Sequence, residues 1–195
     1  MKEASLITEF IILGIIASAS LLFSTLTILG IHDLTFILEL KEYKEITYTL
    51  AIAVFYFLGA IFHRIGNAFI PFLTKIGGSV PLLKKYSAYM SCIPMLKKKN
   101  LYLRQYASTQ ITDYIDYLRR QLLLFRSLFV LLILFGLSLS IWLFSSNQPT
   151  KYVVVAFCLP VSLALLALLA YKHQTDTYEA TINNAYEILE KEKKD

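Results

Sequence analysis

Four apolar stretches, each close to or beyond the roughly 20 residues that a helix needs to cross hydrocarbon, constrain this chain more than anything else in it. They run from about Phe10 to Ile31, Ile46 to Phe62, Gln121 to Phe144 and Tyr152 to Tyr171. With 56% of residues apolar and only 17% charged, the chain is too greasy for an ordinary soluble fold. In lipid every backbone polar group must be satisfied within the protein, which leaves helices and closed barrels. Long alternating strands with a polar lumen face are absent, so the sequence predicts an all-α fold. The expected architecture is an integral membrane four-helix bundle with helical cytoplasmic extensions. The second stretch is the shortest, and Tyr48 and Tyr56 flank it as interfacial aromatics.

Ala17-Ser18-Ala19 resembles a signal-peptide cleavage site. The apolar run continues well beyond it to Ile31, however, and the leading segment carries Glu3 and Glu9 against Lys2 alone, so the first stretch is expected to be retained as a span. Cys92 falls in the segment between the second and third stretches, expected on the cytoplasmic side, and Cys158 inside the fourth span, so neither a disulfide nor a cysteine metal framework is implied.

Lysine and arginine placement sets the expected orientation. Ten of the 19 basic residues lie between Arg64 and Arg120, accompanied by only two acids, Asp113 and Asp116. The first connection, from His32 to Glu45, has Lys41 and Lys44, and the third, from Ser145 to Lys151, has Lys151 alone. Because positive residues stay on the cytoplasmic side, segment 63–120, both termini and a C-terminal helix over 172–195 are expected inside.

Several features of the connections follow from composition. The first, HDLTFILELKEYKE, reads as a short interfacial helix, and SSNQPT, with Asn147 and Pro149, reads as a tight turn that makes spans three and four antiparallel neighbours. Phe69, Phe72, Leu73 and Ile76 recur at helical spacing and end at Gly77-Gly78, as expected of a helix on the inner membrane surface. A second apolar-basic stretch, VPLLKKYSAYMSCIPML, stops near Pro94, and Lys97-Lys98-Lys99-Asn100 follows as an exposed turn. Lys84, Lys85, Lys97, Lys98, Lys99 and Arg104 are the expected contacts to anionic lipid or to an acidic partner. From Leu103 the positions Ala107, Ile111, Tyr114, Leu118 and Leu122 predict one unbroken helix running into the third span. Tyr178, Ile182, Ala185 and Leu189 form a matching stripe on the tail, a face for the neighbouring extension or for a partner helix.

Chemistry is sparse. None of the spans has an acid, base or metal ligand at its centre, the usual mark of a pump or proton relay, and Arg126 lies near enough to the cytoplasmic end to snorkel. Serines and threonines in the spans are expected to serve packing, with Gly14 and Ser18 forming a small-xxx-small pair. HExxH, Walker, CxxC and GxSxG motifs are missing. His63, Arg64, Arg119, Arg120 and His173 form a candidate cationic cluster at the cytoplasmic span ends, for which interfacial anchoring outweighs catalysis. The basic segment also holds Tyr86, Tyr89, Tyr102, Tyr106, Tyr114 and Tyr117, which suit packing and lipid or protein contact better than direct nucleic-acid binding.

The segment LGAIFHRIGNAFIPF, followed by Arg119, Arg120 and Arg126 at the opening of the third span, resembles a pattern in small bacterial four-helix membrane proteins. Span count and length are similar to the membrane subunits of antiphage defence systems of the Kiwa type, with His63 standing where that pattern carries an acid. The resemblance implies a homo-oligomer in the bacterial inner membrane that holds a cytoplasmic effector. From the residues and the resemblance together, the expected function is a membrane scaffold or sensor without catalytic activity, cofactor or metal. Its expected partners are membrane lipid, further copies of itself and a cytoplasmic protein. The alternative is an oligomeric channel or membrane-depolarising effector lined by hydroxyls of spans one and three. An enzyme using His63, Arg64 and His173 ranks last.

Overall fold

The computed structural model describes residues 2–32, 50–65 and 96–192. Every element among them is a helix, and none is a strand. In chain order these are α1 (Lys2–Leu29), α2 (Leu50–Ile65), α3 (96–106), α4 (Thr109–Ser145) and α5 (Thr150–Glu192). Three of them, α1, α4 and α5, are long and apolar enough to cross a membrane, whereas the described part of α2 is a shorter apolar helix. Residues 33–45 of the first connection, the expected helix over 69–76, the start of the second span at 46–49, and Lys84, Lys85 and Cys92 lie outside the described residues.

The chain divides into two compact units, one of Met1–Gly66 with Ser127–Ala167, the other of Asn67–Arg126 with Leu168–Asp195. The first unit is organised opposite to a water-soluble protein. Only 28, 28 and 17% of the apolar stretches of α1, α4 and α5 is buried, so most of their leucine, isoleucine and valine surface faces outward. Exposed large side chains include Ile12, Leu21, Ile28, Leu137, Ile141, Val155, Leu159 and Leu166. The buried positions are enriched in small and hydroxyl residues, among them Ala17, Ser20, Ser127, Ser140, Ala164 and Ala167. Lipid tails are as apolar as leucine, so helices in a bilayer associate through close packing and hydroxyl contacts instead, which is the pattern found here.

The closest approach is between α1 and α2. A Cβ placed on Gly14 would coincide with the Phe55 carbonyl, and one on Gly59 with the Phe10 carbonyl. Residue 10 therefore meets 59 while 14 meets 55, an antiparallel crossing in which each glycine admits the other helix's backbone. Gly14 of the small-residue pair is thus used within the chain. Along its other side α1 packs on α4: Ser24 Oγ lies 2.9 Å from Ser138 Oγ, and Phe23 meets the Phe135 and Trp142 rings. Helix α4 in turn packs antiparallel on α5, where Gly136 leaves room for the ring of Pro160. Pro160 interrupts the α5 hydrogen-bond ladder but not the helix, a tolerance common in helices that neighbours hold in place.

Two helix ends close in the same way. Gly30 has φ +67°, its amide donates to the Thr27 carbonyl, and the Ile31 amide donates to Leu26 five residues back. At the end of α4, Asn147 has φ 54°, its amide donates to Phe144, and the Gln148 amide donates to Leu143. Both are Schellman caps, which satisfy carbonyls that the helix itself cannot. The second lies in the turn expected from SSNQPT. The caps are tied together, since Trp142 Nε1 donates to the Ile31 carbonyl at 2.9 Å. Gly30→Ala should cost about 1 kcal/mol, because open space surrounds the site and only the left-handed backbone resists a Cβ. Asn147→Gly should stabilise by a few tenths of a kcal/mol on the same ground. Thermal unfolding in detergent measures both.

The second unit buries a conventional core: Leu96 and Leu103 from α3, Ile115, Leu118 and Leu122 from α4, and Tyr171, Tyr178, Ile182 and Ala185 from α5. One expectation fails here. The helix predicted to run unbroken from Leu103 into the third span stops after residue 106, and a new one begins at Thr109. The Ala107 amide closes α3 on the Leu103 carbonyl, while the Ser108 carbonyl accepts from Ile111 and Thr112 and so opens α4. Ser108 stands at the N-cap, a position its residue type favours. The break resets the helical phase, so Ile115 is buried and Tyr114, expected on the stripe, is 49% exposed.

Candidate functional site

The residues singled out from sequence occupy three different environments. Lys97, Lys98, Lys99 and Asn100 begin the described part of α3 instead of forming an exposed turn, a correction with consequences for each side chain. Lys99 Nζ donates to Asn183 Oδ1 at 2.7 Å and lies 5.2 Å from the centre of the Tyr186 ring. Asn100 Nδ2 donates to the Tyr178 hydroxyl at 3.0 Å, and Tyr102 meets Tyr186 edge-on. Arg104 pairs with Asp116 and donates through Nε to Asn100 Oδ1 at 3.2 Å. Lys99 and Arg104 therefore tie α3 to its neighbours, Arg104 from an exposed position, while Lys97 and Lys98 face outward.

The tail stripe is likewise internal. Tyr178, Ile182 and Ala185 are buried and Leu189 partly so, all packed with α3 and α4 of the same unit. Of the two roles expected for the stripe, packing on the neighbouring extension is the one seen, and α3 adds Leu96 and Leu103 to cover it. Ile182→Ala should cost about 3 kcal/mol, whereas Lys97→Ala and Lys98→Ala should each stay within about 0.5 kcal/mol. Thermal melts of the three variants separate a buried stripe from an exposed basic one.

The cationic cluster is distributed over both units. His63 and Arg64 belong to the first, and Arg119, Arg120 and His173 to the second. His63 sits edge-on to the Phe10 ring with centroids 5.3 Å apart, and its Nδ1 is 3.5 Å from Ser127 Oγ. Arg64, Arg119 and His173 are exposed.

Arg126 does not behave as a simple snorkelling side chain. Its Nη2 donates to the Tyr171 hydroxyl at 2.6 Å, and the guanidinium carbon lies 5.1 Å from the centre of that ring. Tyr171 is 1% exposed, the largest fully buried side chain described. A charge among apolar residues is costly unless hydrogen-bonded, and an aromatic face adds a cation–π contribution. Nothing in the spacing of Arg126 and Tyr171, which lie 45 residues apart, signals this pairing; only the antiparallel α4–α5 packing creates it.

Outward-facing groups of the second unit are rich in tyrosine. Tyr106, Tyr114 and Tyr117 are 60, 49 and 53% exposed, Tyr114 stacks on Tyr117, and Gln121 Nε2 donates to the Tyr117 hydroxyl at 3.0 Å. Among the described residues no cluster of three or more His, Cys, Asp or Glu side chains is placed to hold a metal. Compared with known protein families, characterised proteins and solved structures, the chain matches none of them.

Proposed function

We propose that the protein is a multi-pass scaffold or sensor of the bacterial inner membrane, without catalytic activity, that self-associates and binds a cytoplasmic protein. Four spans, the second completed by α2, carry the chain across the bilayer with both termini inside. The observation that carries this reading is the contrast between the units. The outward leucine, isoleucine and valine of the first suit lipid, while the second has buried its own apolar stripes and presents Tyr106, Tyr114 and Tyr117 with Lys97, Lys98 and Arg119. Exposed tyrosine and arginine are the residues that protein interfaces favour. Two continuous helices, α4 and α5, contribute to both units. An antiphage role is the biological setting that the resemblance to Kiwa-type subunits implies.

Purification in mild detergent with mass measurement tests self-association, and a strictly monomeric particle that retains no cytoplasmic protein counts decisively against the reading. Tyr114→Ala with Tyr117→Ala should abolish partner retention while leaving the melting temperature unchanged. Orientation is tested separately: a cysteine at position 98 should react with an impermeant reagent only after the inner membrane is opened.

A further inference from the structure

Charges in the second unit are sorted along α4 and α5. Nearest the apolar stretches, over 117–126 and 168–176, stand Arg119, Arg120, Arg126 and Lys172 with one acid, Asp176. Farther along, over 109–116 and 177–192, the same helices carry six acids, Asp113, Asp116, Glu179, Glu187, Glu190 and Glu192, against Lys191 alone. Cations of α3 serve that acidic half: Arg104 pairs with Asp116, and Lys99 donates to Asn183. Retention of positive charge on one side orients a chain, but it does not separate the two signs along a pair of helices that both lie on that side. The bond from Arg126 to the Tyr171 hydroxyl sets α4 and α5 level. Arg119 and Arg120 precede Leu122, where the apolar run of α4 begins, by about 5 and 3 Å along the axis. Lys172 and His173 follow directly on Tyr171. Arg119 and His173 are exposed, and Arg120 and Lys172 are half-buried.

We propose that Arg119, Arg120 and Lys172 form a collar that binds the headgroups of anionic phospholipids in the cytoplasmic leaflet. The inference rests on the spans and orientation proposed above and names the lipid class that the chain selects. A guanidinium offers two parallel N–H groups to the oxygens of a phosphodiester, and an ammonium acts on it as a point charge. Zwitterionic lipid carries the same phosphate together with a cation that the collar repels, so net charge is what discriminates. The opposing charges are few or distant. Asp116 is neutralised by Arg104, and Asp176, one turn beyond Lys172, is the single acid in the collar interval. Glu187, Glu190 and Glu192 lie about 22 Å or more beyond Lys172 along α5. That is roughly two Debye lengths at 0.1 M salt, too far to repel the same headgroups. Arg126 stays with Tyr171 and takes no part in the collar.

The test is electron paramagnetic resonance of spin-labelled phosphatidylglycerol and phosphatidylcholine, each in phosphatidylcholine vesicles that contain the purified full chain. The motionally restricted fraction measures lipid held at the protein. Wild type should hold phosphatidylglycerol about twofold or more over phosphatidylcholine, and salt near 1 M should erase most of that preference. Arg119→Gln with Arg120→Gln and Lys172→Gln should bring the ratio near one, whereas Arg119→Lys with Arg120→Lys, which keeps the charge, should preserve the preference. Lys97→Gln with Lys98→Gln removes two cations from outward positions of α3 and should also leave it in place. A ratio near one in wild type overturns the proposal, as does a preference that survives loss of the collar or disappears with Lys97 and Lys98. Restricted lipid without selectivity overturns the collar alone, while absence of restricted lipid of either kind overturns the assignment of the spans along with it.

Discussion

Gly14→Ala should cost about 3 kcal/mol or more, because the new methyl falls on backbone that no rotamer change can move. The Phe55 carbonyl occupies the position of the added carbon, so α1 and α2 must part to admit it. Gly59→Ala should do the same through the Phe10 carbonyl, and the double variant should cost less than the sum of the singles, since one separation of the helices accommodates both. Lost material on detergent size-exclusion, together with a lowered melting temperature, is the expected readout. Gly30→Ala is the control: it changes the same residue type in open space and should leave the α1–α2 contact intact. Wild-type behaviour of Gly14→Ala would mean that the two helices are not in contact.

Tyr171→Ala carries the second large effect. Removing a fully buried aromatic ring costs about 3–5 kcal/mol, and here it also strips the Arg126 guanidinium of a hydroxyl acceptor and of a ring face. Tyr171→Phe keeps the packing and the ring face but loses the hydroxyl, so it should cost about 1.5–3 kcal/mol, the range for hydrogen bonds to charged groups. Replacing Arg126 by Leu in the Tyr171→Phe background should recover much of that loss, because the pair then becomes apolar on both sides. Melting temperatures of wild type, Tyr171→Phe, Arg126→Leu and the double variant form a double-mutant cycle whose coupling energy reports the pair directly. A coupling energy near zero would show that Arg126 turns elsewhere.

Periodic and compositional signals in this chain proved informative wherever the cause of structure is local. Apolar runs of sufficient length make α1, α4 and α5 long apolar helices, since backbone hydrogen bonds close within each helix irrespective of its neighbours. Asn147 with the proline that follows it made the turn between α4 and α5 legible, because a left-handed residue is a property of a few consecutive positions. The same kind of signal misled at Ser108. Without glycine or proline nearby, the apolar spacing from Leu103 read as continuing through it.

What only the tertiary structure decided is which face meets which. Nothing along the chain shows that Gly14 and Gly59 would be paired, that Tyr171 would receive Arg126, or that α3 would fold back to cover Ile182. Lys99 and Arg104 looked like any other basic residues until Asn183 and Asp116 were brought beside them. Helix formation depends on neighbours three and four positions away, whereas these contacts join residues 12 to 84 positions apart. Such distances are set by how helices cross, and crossing is governed by shape complementarity that no single segment contains.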